Sequence, residues 1–161
     1  MIEIGKKRNY IISAVLIAAS FIALRPALAY LLYRRAGDYM SARIVPDAAR
    51  TYEKTLIFNE KDVDSRNWLA YCYSLMGCDD KALVEYKKAI ELDPDDVVAL
   101  FDAGIIYRKG GDLKAAKEYF SKAAAARQSP NVTGQNYKFY TKSAVTMLKI
   151  IAKAEKKGVL R

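Results

Sequence analysis

Apolar positions along this chain fall into three regimes. From Tyr10 to Leu24 the sequence is apolar on every side, with no helical alternation; Arg25-Pro26 interrupts it and Ala27 to Tyr33 prolongs it. From Tyr30 onward, apolar residues recur three and four apart, the spacing of amphipathic helices. Breaks fall at Val45-Pro46-Asp47, Gly77-Cys78-Asp79-Asp80, Leu92-Asp93-Pro94-Asp95-Asp96, Lys109-Gly110-Gly111-Asp112 and Ser129-Pro130-Asn131. These predict a helix continuing to Ser41, one over 47–58, two pairs across 63–96 and 97–130, and a last helix over about 135–157. Pro46 suits a first-turn position, Asp64 or Ser65 a cap, and the glycines near 110 a helix C-terminus. The last helix carries Tyr140, Ala144, Met147 and Ile151, with Leu148, on its inward stripe.

The pattern repeats after 34 residues. Leu69, Ala70, Tyr73 and Gly77 map to Ala103, Gly104, Tyr107 and Gly111; Ala82, Tyr86, Lys88 and Ala89 map to Ala116, Phe120, Lys122 and Ala123. Shifted the other way, Ala36, Tyr39, Ala48, Tyr52 and Lys54 fall in the same phase. The small residues let paired backbones approach, and the aromatics fill the space above that contact. One pair cannot bury its apolar face alone, so pairs stack.

Over roughly residues 30–130 the chain resembles the tetratricopeptide repeat (TPR) family. The resemblance implies an all-α, right-handed TPR-like solenoid of helical hairpins. About three repeats (30–62, degenerate; 63–96; 97–130) precede a C-terminal capping helix and basic tail over 131–161, and a hydrophobic helix precedes them. Trp68 departs from the family pattern, lying two places after the usual aromatic position, which Arg66 occupies.

Residues 10–33, as a helix, measure about 36 Å against a bilayer core of about 30 Å. That favours a membrane anchor over 1–33, with the stem of Arg25 reaching the interface and Pro26 adding a kink. The other reading is a signal peptide over 1–29, cleaved after Ala27-Leu28-Ala29. Either way the repeats are expected on the extracytoplasmic side, although Arg34, Arg35 and Arg43 weaken the orientation set by Lys6-Lys7-Arg8.

The net charge of +9 is uneven: +5 over residues 1–35, −2 over 36–130 and +6 over 131–161. The ends carry the basic character, so nucleic acid is not the expected partner. There is no histidine, which removes the commonest general base and metal ligand. With no nucleophile motif, metal constellation or phosphate loop either, the expectation is a non-enzymatic protein with no cofactor. Cys72 and Cys78 would sit about 9 Å apart, too far for a disulfide. Asp93, Asp95 and Asp96 lack a calcium-loop pattern and read as a solvated turn. Asn131-Val132-Thr133 is a short glycosylation sequon.

In the TPR family the first helix of each pair lines a concave groove. The resemblance therefore assigns Asn67, Tyr71 and Ser74 to it, then Phe101, Ile105 and Arg108 with Lys109, then Phe139 and Lys142, with Tyr33 and Met40 in front. Such a row suits an apolar peptide or helix with an acidic group toward one end. The lysine and asparagine clamp that some family members use for acidic chaperone tails is absent. The leading expectation is a membrane-tethered adaptor. The alternative is a structural subunit that completes its stack against a homo-oligomeric copy or a larger complex.

Overall fold

The computed structural model describes residues 2–156, with side chains from residue 12 onward. Among the described residues all regular structure is helical: α1 (Ile2–Ser41), α2 (Val45–Phe58), α3 (Val63–Leu75), α4 (Asp79–Leu92), α5 (Val97–Lys109), α6 (Leu113–Ala125) and α7 (Gly134–Lys156). Each helix packs chiefly on its sequence neighbours, and α7 also reaches α5. This is the one-dimensional contact pattern of a solenoid.

The repeat phase predicted from sequence becomes the core. Ala36 and Ala70 are fully buried, Gly104 is buried in the same phase, and Ala48, Ala82 and Ala116 are fully buried opposite them. Tyr52, Tyr86 and Phe120 cover those contacts and are themselves buried. At Gly104 a Cβ would lie 2.8 Å from the Phe120 ring, so only glycine permits this approach.

The three first helices end alike. Ile44 N–H donates to Tyr39 O, Cys78 N–H to Tyr73 O and Asp112 N–H to Tyr107 O; the preceding residue donates to Met40 O, Ser74 O and Arg108 O. This double bond pattern is the Schellman stop, which needs a left-handed residue. Gly77 (φ 75°) and Gly111 (φ 85°) supply it in two turns, and Arg43 (φ 60°) stands at the equivalent place in the first.

Two local expectations need correction. Helix α3 starts at Val63, with Asp62 before it; Ser65 Oγ donates to Asp62 Oδ2 at 2.6 Å instead of capping the helix itself. The acidic turn after α4 is not a solvated one. Asp96 is buried and caps α5 by accepting from Val98 and Ala99 N–H, while Asp95 grips Arg127 and Asp93 accepts from Ser129 and Asn131. The partners lie some thirty residues away along the chain, so local sequence could not show them. Arg66, at the family's aromatic position, forms a 2.8 Å ion pair with Glu85 between α3 and α4. The two cysteines are free, Cys72 buried and Cys78 exposed.

Helix α1 runs unbroken through Pro26. Its residues Ile12–Ser41 include a stretch of mean hydropathy 2.0, long and apolar enough to cross a membrane by length and composition. Ile12, Val15, Leu16, Phe21, Ile22 and Leu24 are exposed, whereas Ala29 and Ala36 are buried against the repeat.

Candidate functional site: a groove between alternate helices

A cavity of about 440 Å³ opens between α3, α5, α7 and the α6–α7 loop. Asp64, Asn67, Trp68 and Tyr71 line it from α3, Val98 and Asp102 from α5, Asn136 and Tyr140 from α7, and Asn131, Val132 and Thr133 from the loop. The lining obeys the repeat: Asp64, Val98 and Val132 are equivalent positions, as are Trp68, Asp102 and Asn136. The grip of Asp93 on Ser129 and Asn131 holds the loop wall in place.

This stripe is displaced by one residue from the expected one, and that shift sorts the candidates. Asn67 and Tyr71 line the cavity. Phe101 is not among the lining residues: it is buried, packed on Phe120 (centroids 5.5 Å) and Tyr140 (5.5 Å). Ile105 is half-buried against the same cluster. Tyr33 packs edge-on to Tyr52, and Met40 lies beside Cys72 with sulfurs 3.3 Å apart. Ser74 is half-buried outside the cavity. Arg108, Lys142 and Phe139 are exposed beyond its rim, the last edge-on to Tyr140, and Lys109 pairs with Asp79 at 2.7 Å. Of the residues the stripe missed, Trp68 carried a signal, because its offset from the family's aromatic position already marked a different facing. It stacks on Tyr52 (6.4 Å) and meets Tyr71 edge-on (6.0 Å).

The groove is therefore aromatic and acidic rather than cationic. Burial pushes the Asp102 carboxyl up to about 6; the hydrogen bond from Tyr86 (3.2 Å) opposes this and the Asp96 charge adds to it. Asp64 is raised by partial burial and then by Asp62 and Asp96, and Tyr140 by burial and then by Asp102. Asn67 Nδ2 donates to Asp96 Oδ2 at 2.5 Å, which leaves its buried Oδ1 without a partner among the described residues. No group of three or more potential metal ligands occurs among the described residues.

Sequence profiles of the tetratricopeptide repeat match residues 63–96 and 85–118. The chain belongs to the tetratricopeptide repeat family. The second TPR match starts at residue 85 rather than at a repeat boundary because a 34-residue period has no privileged origin. The photosystem I assembly protein Ycf3 of Prochlorococcus marinus subsp. pastoris is 30% identical over 138 residues, covering 72% of this TPR chain and 76% of that protein. Ycf3 of Prochlorococcus marinus strain SARG is 33% identical over 93 residues, or 56% of this chain; the match spans only 54%, about half, of that relative's length. Among solved structures, the TPR fold is shared with the type III secretion chaperone SycD of Yersinia enterocolitica in complex with a peptide of the translocator YopD. That structure superposes with a TM-score of 0.71 at 19% identity, covering 78% of this chain and 93% of SycD.

Proposed function

We propose that this chain is a non-enzymatic adaptor that is tethered to a membrane by α1 and holds an extended segment of a protein partner between its alternate helices. The observation that carries this reading is the cavity walled by Trp68, Tyr71 and Tyr140, with Asn131, Thr133 and Asn136 beside them as hydrogen-bonding groups for a peptide backbone. The repeats occupy residues 34–130 and α7 (Gly134–Lys156) caps them. The peptide-bound SycD structure and the assembly role in the name of Ycf3 both support partner capture.

Tethering is supported by the way α1 joins the repeats. The signal-cleavage triplet Ala27-Leu28-Ala29 lies inside one continuous helix, and Ala29 is buried in the hollow beside α2. Cutting there would remove packed residues, so the apolar segment is read as retained. By the positive-inside tendency Lys6-Lys7-Arg8 stay on the cytoplasmic side, and the repeats then stand on the opposite side of the membrane. Anchoring raises the local concentration of whatever the groove holds.

The test is capture from detergent-solubilised membranes by the full chain and by Tyr71→Ala/Asn136→Ala. Both residues line the cavity and are exposed, so helical content and melting should stay within about 1 kcal/mol of the parent while capture falls. Equal capture by both proteins would reject the groove reading. A chain recovered in the soluble fraction without its first 29 residues would reject the tether.

A further inference from the structure

The cavity presents acceptors where a clamp for acidic tails would present donors. Among its lining residues the charged ones are Asp64 and Asp102, with no lysine or arginine beside them. The nearest expected cations lie elsewhere: Lys109 is bound to Asp79, and Arg108 and Lys142 are outside the lining. Asp102 receives one hydrogen bond, from Tyr86, although a carboxylate has about four acceptor positions. The Asn67 amide is oriented by its Nδ2 bond to Asp96, and its Oδ1, buried and without a hydrogen-bond partner among the described residues, adds negative partial charge beneath the lining. Around these acceptors stand the rings of Trp68, Tyr71 and Tyr140. Carboxylates and an amide oxygen among aromatic faces are complementary to an ammonium or guanidinium group and repel a carboxylate.

We propose that the groove recognises its peptide through a lysine or arginine side chain seated among Asp64, Asn67 and Asp102, with the flanking apolar residues on Trp68, Tyr71 and Tyr140. This rests on the reading of the groove as a peptide site and reverses the acidic ligand expected from sequence. The hollow is larger than one side chain needs. It also meets a second hollow of about 300 Å³, lined by Pro26, Ala29, Tyr30 and Tyr33, at the shared Asp64. A linear segment laid along both therefore suits it better than a small free cation. The charge contrast is local. The whole chain is +9, so non-specific attraction would select acidic peptides, and selection of basic ones must come from the groove.

The test is selection of a phage-displayed random peptide library on the full chain in detergent micelles, repeated on Asp64→Asn/Asp102→Asn. The asparagines keep size and can still accept from Tyr86, and circular dichroism checks helical content; Asp64→Asn alone, at the exposed position, is the second variant. The parent is expected to enrich lysine or arginine over the starting library. The double variant should lose that enrichment and bind the best selected peptide at least about tenfold more weakly, and the single variant should weaken it in the same direction. Selected peptides that are neutral or acidic, or a basic bias that survives the double substitution, overturn this inference and leave the adaptor reading standing. Failure to select any peptide overturns both.

Discussion

Arg25 Nη2 donates to the backbone carbonyl of Ile57 at 2.8 Å, joining residues 32 apart in sequence. Ile57 lies in the last turn of α2, where carbonyls lack helical partners and the helix end carries partial negative charge. The guanidinium satisfies one carbonyl and the local field together. From sequence, Arg25 looked like a charge reaching out of an apolar helix; the structure gives it a protein partner instead. It marks the boundary in α1: the apolar residues from Ile12 to Leu24 are exposed, and Ala29 and Ala36 beyond it are buried.

Removing this cap loosens the first repeat. Arg25→Ala is expected to cost about 1 kcal/mol, or roughly 2–4 °C in melting temperature. The control is Arg34→Ala at an exposed position of the same helix, which should leave melting unchanged. Circular dichroism of both variants in micelles reads the difference. Equal effects would mean that the Ile57 contact contributes nothing.

At Gly104 two effects oppose each other. Alanine would be the better helix former by about 1 kcal/mol. Its Cβ, however, would sit 2.8 Å from the ring of Phe120, which is fully buried and cannot move aside. Overpacking of this kind costs about 1–3 kcal/mol, so Gly104→Ala should lower stability in urea titration. Adding Phe120→Leu, which shortens the opposing ring, should leave the double variant less destabilised than the sum of the two single changes.

The same close approach explains what could be read in advance. Small residues and aromatics in a 34-residue phase are a consequence of helix pairs touching, so Ala70, Gly104, Tyr86 and Phe120 announced the fold. The groove was only half legible. Shifting Asn67 and Tyr71 by one period placed Phe101 and Ile105 in the groove. Instead Phe101 turns toward Phe120 and Tyr140, and its neighbour Asp102 takes the groove position equivalent to Trp68. The loop wall was not legible at all, because Asn131 and Thr133 reach the cavity only through the long-range hold of Asp93 and Asp95 on 127–131.

Arg43 exposes a cost carried by the first repeat. Its φ of 60° is the left-handed conformation that Gly77 and Gly111 adopt one and two periods later. A residue with a Cβ is less favourable there by roughly 1–2 kcal/mol, part of which is offset because glycine loses more entropy on folding. Arg43→Gly should therefore stabilise the chain by about 0.5–1 kcal/mol, and Gly77→Arg should destabilise it. A lower melting temperature for Arg43→Gly would show that the arginine side chain contributes more than the turn costs.

The buried carboxylates set a pH dependence. Asp102, at about 6, faces Tyr86 on α4, Asp96 on its own helix side and Tyr140 on α7. The folded state then holds its proton to higher pH than the unfolded chain, so stability falls as pH rises from about 4 through 6. Asp64 and Asp96 are raised too and act in the same sense. Asp95 and Glu118, lowered by their bonds to Arg127 and Lys122, act oppositely and matter only in more acid solution. Asp102→Asn should raise the melting temperature at pH 7.5, by about 1–2 kcal/mol equivalent, and change little at pH 4. A uniform effect at both pH values would contradict the assignment.

Arg66 and Glu85 form the most enclosed ion pair among the described residues, with side chains 14% and 11% exposed. Each end has further support: Arg66 also donates to Glu60 O at 2.5 Å, and Lys88 donates to the other Glu85 oxygen at 2.6 Å. Because both charges are drawn from water, the pair itself adds little over an apolar contact, whereas a single survivor would be left uncompensated. Arg66→Met should strand Glu85, costing about 2–4 kcal/mol with Lys88 softening the loss, and Glu85→Gln should strand Arg66 similarly. The double variant Arg66→Met/Glu85→Leu should recover most of that loss, because it replaces two charges drawn from water with an apolar contact at the α3–α4 seam. Urea titration of the four proteins as a double-mutant cycle isolates the coupling. Additive losses would mean that the two residues act independently, and that Arg66 holds the seam through the Glu60 carbonyl rather than through Glu85.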